Sequence, residues 1–243
     1  MSSQRKPKKS APIVWEREEP VSRPAPAPLS RGKVVAAAMA IADANGLAAV
    51  SIRSVAAAVK ASHMRLYGFV GSKEEVLDLL ADEVFGEIAR MGPLGGEWRE
   101  VLGEMARRTR RAWQAHKWFV DLLGGRPHLG PNALRFLEAS HRALERTSAM
   151  GDIDVAMFAV STVNAYAVGA IRTESSEFNT GVNQDEWESA AWPYLQRQLA
   201  TGEFPMLEKI VAHAEHPLPD DLFERGLSCV LDGIQARLSP SDS

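Results

Sequence analysis

Between residues 30 and 90 the sequence closes and reopens a helix three times in quick succession, and this constrains the fold more than any other feature of the chain. Val34, Ala37, Ala38, Ile41 and Ala42 recur at helical spacing, and Asn45-Gly46 followed by Leu47 has the form of a glycine C-cap with an apolar residue behind it. This predicts a first helix over 31–45. Ser51 can cap a second helix whose inward residues are Val55 and Val59, ending near Lys60. Ser62 opens a third of barely two turns, interrupted by Gly68. Ser72-Lys73-Glu74-Glu75 reads as a capping box, followed by a stripe of Val76, Leu77, Leu80, Val84 and Ile88 that predicts a fourth helix to about 90.

Two short helices around a tight turn at 60–61, with a longer helix on either side, make a helix-turn-helix within a compact bundle. In that arrangement the second short helix is presented to the major groove with its N-terminal residues at base edges. Its apolar anchor is Leu66, facing Val55 and Val59. His63, Arg65 and Tyr67 are then assigned to the outward face, with Met64 at its edge. Arg65 can grip a guanine edge or pair with phosphate, and His63 and Tyr67 can donate to phosphates. Arg53 and Lys73 would flank the groove, and the helix N-termini at Ser51, Ser62 and Ser72 add amide donors. Charge agrees with this orientation. The chain of 243 residues carries −3 overall, yet residues 1–73 hold 12 Lys and Arg against 4 Asp and Glu, so a net +8 front joins a net −11 body.

The stretch "AAAMAIADANGLAAVSIRSVAAAVKASHMRLYGFVGSKEEVLDLL" resembles the DNA-binding domain of the tetracycline-repressor (TetR) family of transcriptional regulators. The match lies in an alanine-rich first helix ending in glycine, a serine before the second, then Leu-Tyr and a Ser-Lys that opens the fourth. That resemblance implies an all-α homodimer, a partly palindromic operator and a C-terminal domain that binds a small effector. It places Ser51, Arg53, Ser62, His63, Arg65, Tyr67 and Lys73 at positions that commonly touch DNA. Two departures stand out. Lys60 sits where the turn usually has glycine, which calls for a left-handed backbone at about 1–2 kcal/mol, and Gly68-Phe69 replaces a pair that often includes a phosphate-binding His or Tyr.

The expected fold class is all-α: an N-terminal three-helix helix-turn-helix domain and a C-terminal helical bundle for ligand binding and dimerisation. Residues 1–29, basic and proline-rich, read as a disordered arm in which Ile13, Val14 and Trp15 are either an incidental apolar spot or a piece that docks or binds a partner. The DNA-binding domain with its connecting helix covers 30–90, "MGPLGG" at 91–96 marks the boundary, the second domain covers 97–238, and 239–243 is a tail. Helical segments are expected over about 97–115, 116–123, 131–149, 152–173, 184–200, 205–214 and 219–238. The segment "HKWFVDLLGGRPHLGPNALRFLEA" at 116–139 resembles a C-terminal subfamily common in actinobacterial TetR regulators.

By the same resemblance Met105, Trp113, Trp118, Phe136, Met157 and Phe158 fall in segments that line the effector cavity, with Asn164 a polar group in an apolar helix. As a group they permit an apolar or aromatic effector. Association is assigned to 152–173 and 219–238, where Leu222, Phe223, Leu227, Val230, Leu231, Ile234 and Leu238 form a stripe two residues wide and Gly226 and Gly233 permit close approach. Catalysis finds no support: there is no nucleophile elbow, phosphate loop or HExxH motif. His213 and His216 have no third metal ligand nearby, and no cofactor is expected. Cys229 is the single cysteine, no apolar run approaches a membrane span and no signal peptide is evident, so a cytoplasmic location is expected. The competing reading is a helical ligand-binding protein or enzyme that has lost DNA binding.

Overall fold

The computed structural model describes residues 13–20, 28–125, 127–179, 184–215 and 217–238. Among these the regular structure is helical throughout: α1 Arg31–Asn45, α2 Ile52–Ala58, α3 His63–Leu66, α4 Lys73–Arg90, α5 Trp98–Ala115, α6 Pro131–Glu145, α7 Ile153–Asn179, α8 Gln184–Leu199, α9 Pro205–His213 and α10 Pro219–Leu238. Short 3-10 turns occupy Leu47–Ala49, Lys117–Leu122 and Ser148–Met150. The chain divides into two compact units, residues 1–95 with 111–144 and residues 96–110 with 145–243. The expected boundary at 91–96 is therefore only half of the division, because 111–144 fold with the N-terminal helices.

In the first unit α1 packs on α2, on α4 and on the 3-10 turn Lys117–Leu122. Gly46 ends α1 at φ 75°, a conformation glycine adopts without the Cβ penalty, and its amide closes on the Ala42 carbonyl at 2.7 Å. Val34, Ala38 and Ala42 are buried, as are Val55, Leu66, Phe69, Val76, Leu80, Val84 and Ile88, so the apolar stripes of α1 to α4 meet in one core. Asp82 of α4 is also buried. Its Oδ1 accepts the amides of Asn132 and Ala133, at 2.9 and 3.0 Å, and so caps the start of α6 from outside that helix. Burial raises the Asp82 pKa despite these two amides.

The N-terminal arm departs from expectation between residues 13 and 20. Val14 is buried, Arg17 makes a two-pronged ion pair with Glu75 at 2.7 and 2.8 Å, and the Arg31 guanidinium donates to the Arg17 carbonyl at 2.6 Å. Pro20 lies so near Gly68 that a Cβ there would stand 2.8 Å from its Cγ. An apolar Val14 and a salt-bridging Arg17 give this piece enough burial to dock, whereas residues 1–12 and 21–27 lie outside the described residues.

In the second unit α7 packs on α10. The α7 residues that turn inward are Ala156, Ala159, Val163, Ala167, Val168 and Ile171, and α10 answers with Phe223, Leu227, Leu231 and Ile234. Gly226 permits this approach, since a Cβ there would collide with the Tyr166 ring, whose hydroxyl donates to the Phe223 carbonyl at 2.7 Å; Gly233 has open space around it. Arg110 spans Glu174 and Asp220, tying α5, α7 and α10 together. One expectation about apolar runs needs correction. Ile153–Ser175 is long and apolar enough by composition to cross a membrane, because alanine, valine and isoleucine outnumber the charges scattered through it. Only 28% of its most apolar window is buried within the chain.

Candidate nucleic-acid interface

The short helix α3 exists because its two ends are satisfied locally. Ser62 Oγ accepts the Arg65 amide at 3.3 Å, and the chain enters from a turn in which Lys60 adopts φ 52°. The left-handed lysine expected from the missing glycine is thus present. It lets the Ala61 amide reach back to the Ala56 carbonyl at 2.9 Å. Leu66 is fully buried and pins α3 to α2. With that anchor set, the other side chains face outward: Met64 is 81% exposed, Tyr67 is 49% exposed, and Ser62, His63 and Arg65 are exposed. Tyr67 is therefore not a core residue. Gly68 and Phe69 serve packing, Gly68 meeting Pro20 and Phe69 being buried.

The flanking residues have local duties as well. Ser51 caps α2, its Oγ accepting the Ser54 amide while Ser54 Oγ accepts the Ser51 amide, both near 3 Å. Arg53, in the first turn of α2, is exposed. Lys73 opens α4, and its ammonium donates to the Leu47 carbonyl at 3.1 Å, bracing α4 against the turn after α1. At the start of α4 the reciprocal half of the capping box is displaced. Ser72 Oγ accepts the Glu75 amide at 3.2 Å, but the Glu75 carboxylate takes the Gly71 amide at 2.7 Å and Arg17. Burial alone would raise the Glu75 pKa, yet these donors hold it below the ordinary value.

The residues assigned to an effector cavity are divided between the two units. Trp113, Trp118 and Phe136 are buried in the first unit, Met105 in the second. Lys117 stacks over the Trp113 ring at 3.9 Å, and Phe136 joins Phe85, which in turn meets Phe119 edge-on. Trp118 donates its indole N–H to Asp43 Oδ1 at 2.6 Å. Met157 and Phe158 are each 53% exposed and Asn164 is exposed, which contradicts their assignment to an enclosed lining. Spacing explains two of them: with 156, 159 and 163 turned inward, positions 157 and 158 fall off that face of α7, whereas Asn164 is exposed although it stands three and four residues before the buried Ala167 and Val168. No group of three metal-ligating side chains occurs among the described residues, and His216 lies outside them.

Sequence reasoning missed two constellations. Arg17 with Glu75, and His116 with Asp43 and Glu87, join residues 29 to 73 positions apart, and no local pattern announces such pairs.

Comparison with known proteins places this arrangement. Residues 92–238 match the model of the tetracyclin repressor-like C-terminal domain. The chain is 34% identical over 229 residues to the HTH-type transcriptional repressor DrrR1 of Streptomyces coeruleorubidus, covering 92% of this chain and 83% of that protein. It is 36% identical over 162 residues to an HTH-type transcriptional regulator of Saccharopolyspora erythraea, covering 67% of each. Among solved structures, the Streptomyces coelicolor TetR family protein ActR in complex with actinorhodin superposes with a TM-score of 0.74 at 30% identity, covering 88% of this chain and all of that one. The chain therefore belongs to the tetracycline-repressor (TetR) family, as a ligand-responsive DNA-binding regulator of transcription.

Proposed function

We propose that the protein is a homodimeric repressor that holds a partly palindromic operator through α3 and is released by a small apolar or aromatic effector. The observation that carries the reading is the capped, single-turn α3, whose His63, Met64 and Arg65, with Tyr67 directly after it, all stand clear of a core fixed by Leu66. Arg65 is the base-reading or phosphate-gripping side chain, and Arg53 with the N-termini at Ser51, Ser62 and Ser72 supplies flanking phosphate contacts. Lys73 contributes charge and, through Leu47, holds α4 in register with α1. The effector class is supported by the buried aromatics Trp118, Phe119 and Phe136 with the half-buried Phe85 beside them, and by the relative ActR, whose structure contains actinorhodin.

Dimerisation is assigned to α7 and α10. Ile153, Met157, Phe158 and Leu222 leave an apolar surface on these helices that a second copy would cover. A gel-shift tests the reading: the protein is mixed with duplex from upstream of its own gene and with random duplex, with and without a panel of aromatic small molecules. Selective retardation relieved by at least one compound is expected. Equal affinity for both duplexes defeats the reading.

A further inference from the structure

Among the half-buried polar groups that the DNA-binding site does not use, one imidazole links two of its supporting helices. His116 follows directly on α5, and its side chain is only 12% exposed. Its Nδ1 lies 2.7 Å from Asp43 Oδ1, in the last turn of α1, and its Nε2 lies 2.9 Å from Glu87 Oε2, in the last turn of α4. A neutral imidazole has one N–H and one lone pair, so one carboxylate would face a lone pair across a hydrogen-bond distance. The imidazolium has two N–H groups and satisfies both. These two carboxylates are the ionisable groups presented to the ring by α1 and α4; Lys117, next along its own segment, is turned over the Trp113 ring.

We propose that His116 is a positioning residue for DNA binding: as an imidazolium shared between Asp43 and Glu87 it fixes α1 against α4, the two helices that frame the helix-turn-helix. The inference rests on the regulator reading above. Once the ring is neutral it can serve only one of the two carboxylates, and the other is set against its lone pair. α1 and α4 then lose their shared partner, Lys73 with Leu47 remains as a polar tie between α4 and the turn after α1, and α3, pinned by Leu66 to α2, which packs on α1, loosens with them. Trp118 donates to the same Asp43 oxygen at 2.6 Å, so α1 keeps a polar tie to this segment when the ring lets go, whereas α4 loses the Glu87 bond and is left with the apolar contact of Phe85 on Phe119.

The direction with pH follows from the surroundings of the ring. Burial alone would push the His116 pKa down, but the hydrogen bonds and charges of Asp43 and Glu87 outweigh it and hold the pKa above the ordinary 6.5. A base whose folded pKa is raised contributes its full stabilisation below the unfolded pKa and loses it as pH rises through the folded one. Operator affinity should therefore fall on going alkaline.

The test is fluorescence anisotropy of the full-length protein on the duplex recovered from its upstream region, from pH 6 to pH 9 at constant ionic strength, with random duplex as control. The imidazole is titrated in parallel by NMR without DNA. Wild type should weaken by about tenfold across the titration of the ring, the scale of one charge-assisted hydrogen bond. His116→Gln should bind weakly at every pH, and His116→Arg, which keeps charge and two donors, should restore binding without the pH step. Specific binding by wild type with a profile that His116→Gln leaves unchanged overturns this proposal alone, as does an imidazole that titrates at or below 6.5. Wild type that prefers the upstream duplex at no pH defeats the regulator reading, and this proposal with it.

Discussion

Single residues decide whether the helices of the first unit can meet. Gly130 is the sharpest case: a Cβ there would drive into the Asp82 carboxylate, which accepts the first amides of α6. Gly130→Ala should push Asp82 off those amides and cost about 1–3 kcal/mol, the penalty for buried polar groups left without partners, readable as a shift of the urea midpoint. A midpoint within error of wild type would show that the loop relaxes freely around Asp82. The residues that were legible in the sequence are those whose partners are close along the chain. Gly46, Ser51, Ser62 and Ser72 act within three or four positions, and Lys60 betrays itself by standing where glycine is expected. Asp82, Arg17 and His116 find their partners 29 to 73 residues away, and only the tertiary fold brings such groups together.

At the scale of elements, the piece Ile13–Pro20 behaves as part of the bundle. Its prolines and charges read as a tail, and one buried valine with a two-pronged ion pair was too short a signal to set against them. The contribution of Val14 is about 1.5 kcal/mol from burial, and the Arg17–Glu75 pair, with both side chains about a quarter exposed, adds about 0.5 kcal/mol. Deleting residues 1–20 should lower the melting temperature by about 4–8 °C, given about 2–4 °C per kcal/mol for a domain of this size. Deleting residues 1–12, which removes Arg5, Lys6, Lys8 and Lys9, should leave the melt nearly unchanged and weaken DNA binding. Equal melting of the two truncations would mean that the docked piece adds no stability. The long helix α7 shows the opposite kind of misreading. Its periodicity is plain, but Met157 and Phe158 are assigned to an inner lining although they occupy the side left open by the α7–α10 contact.

For the whole molecule, that open side is the feature a lone chain leaves unresolved. A helix as apolar as Ile153–Ser175 with most of its surface uncovered calls for a partner surface. Substituting Met157 and Phe158 together by glutamate should convert a dimer to monomers in analytical ultracentrifugation and, because a palindrome is held by two copies, weaken operator binding by more than tenfold. Persistence of the dimer would place the interface elsewhere.

The central claim, that α3 reads DNA while Arg53 and the helix N-termini hold the backbone, is tested most directly by operator affinity measured over a salt series. Arg65→Ala should cost about 1–3 kcal/mol on the operator and reduce the preference over random duplex, and Arg53→Ala should weaken both duplexes alike while flattening the salt dependence by about one unit of slope. Affinities and slopes for both variants that match wild type would contradict the account.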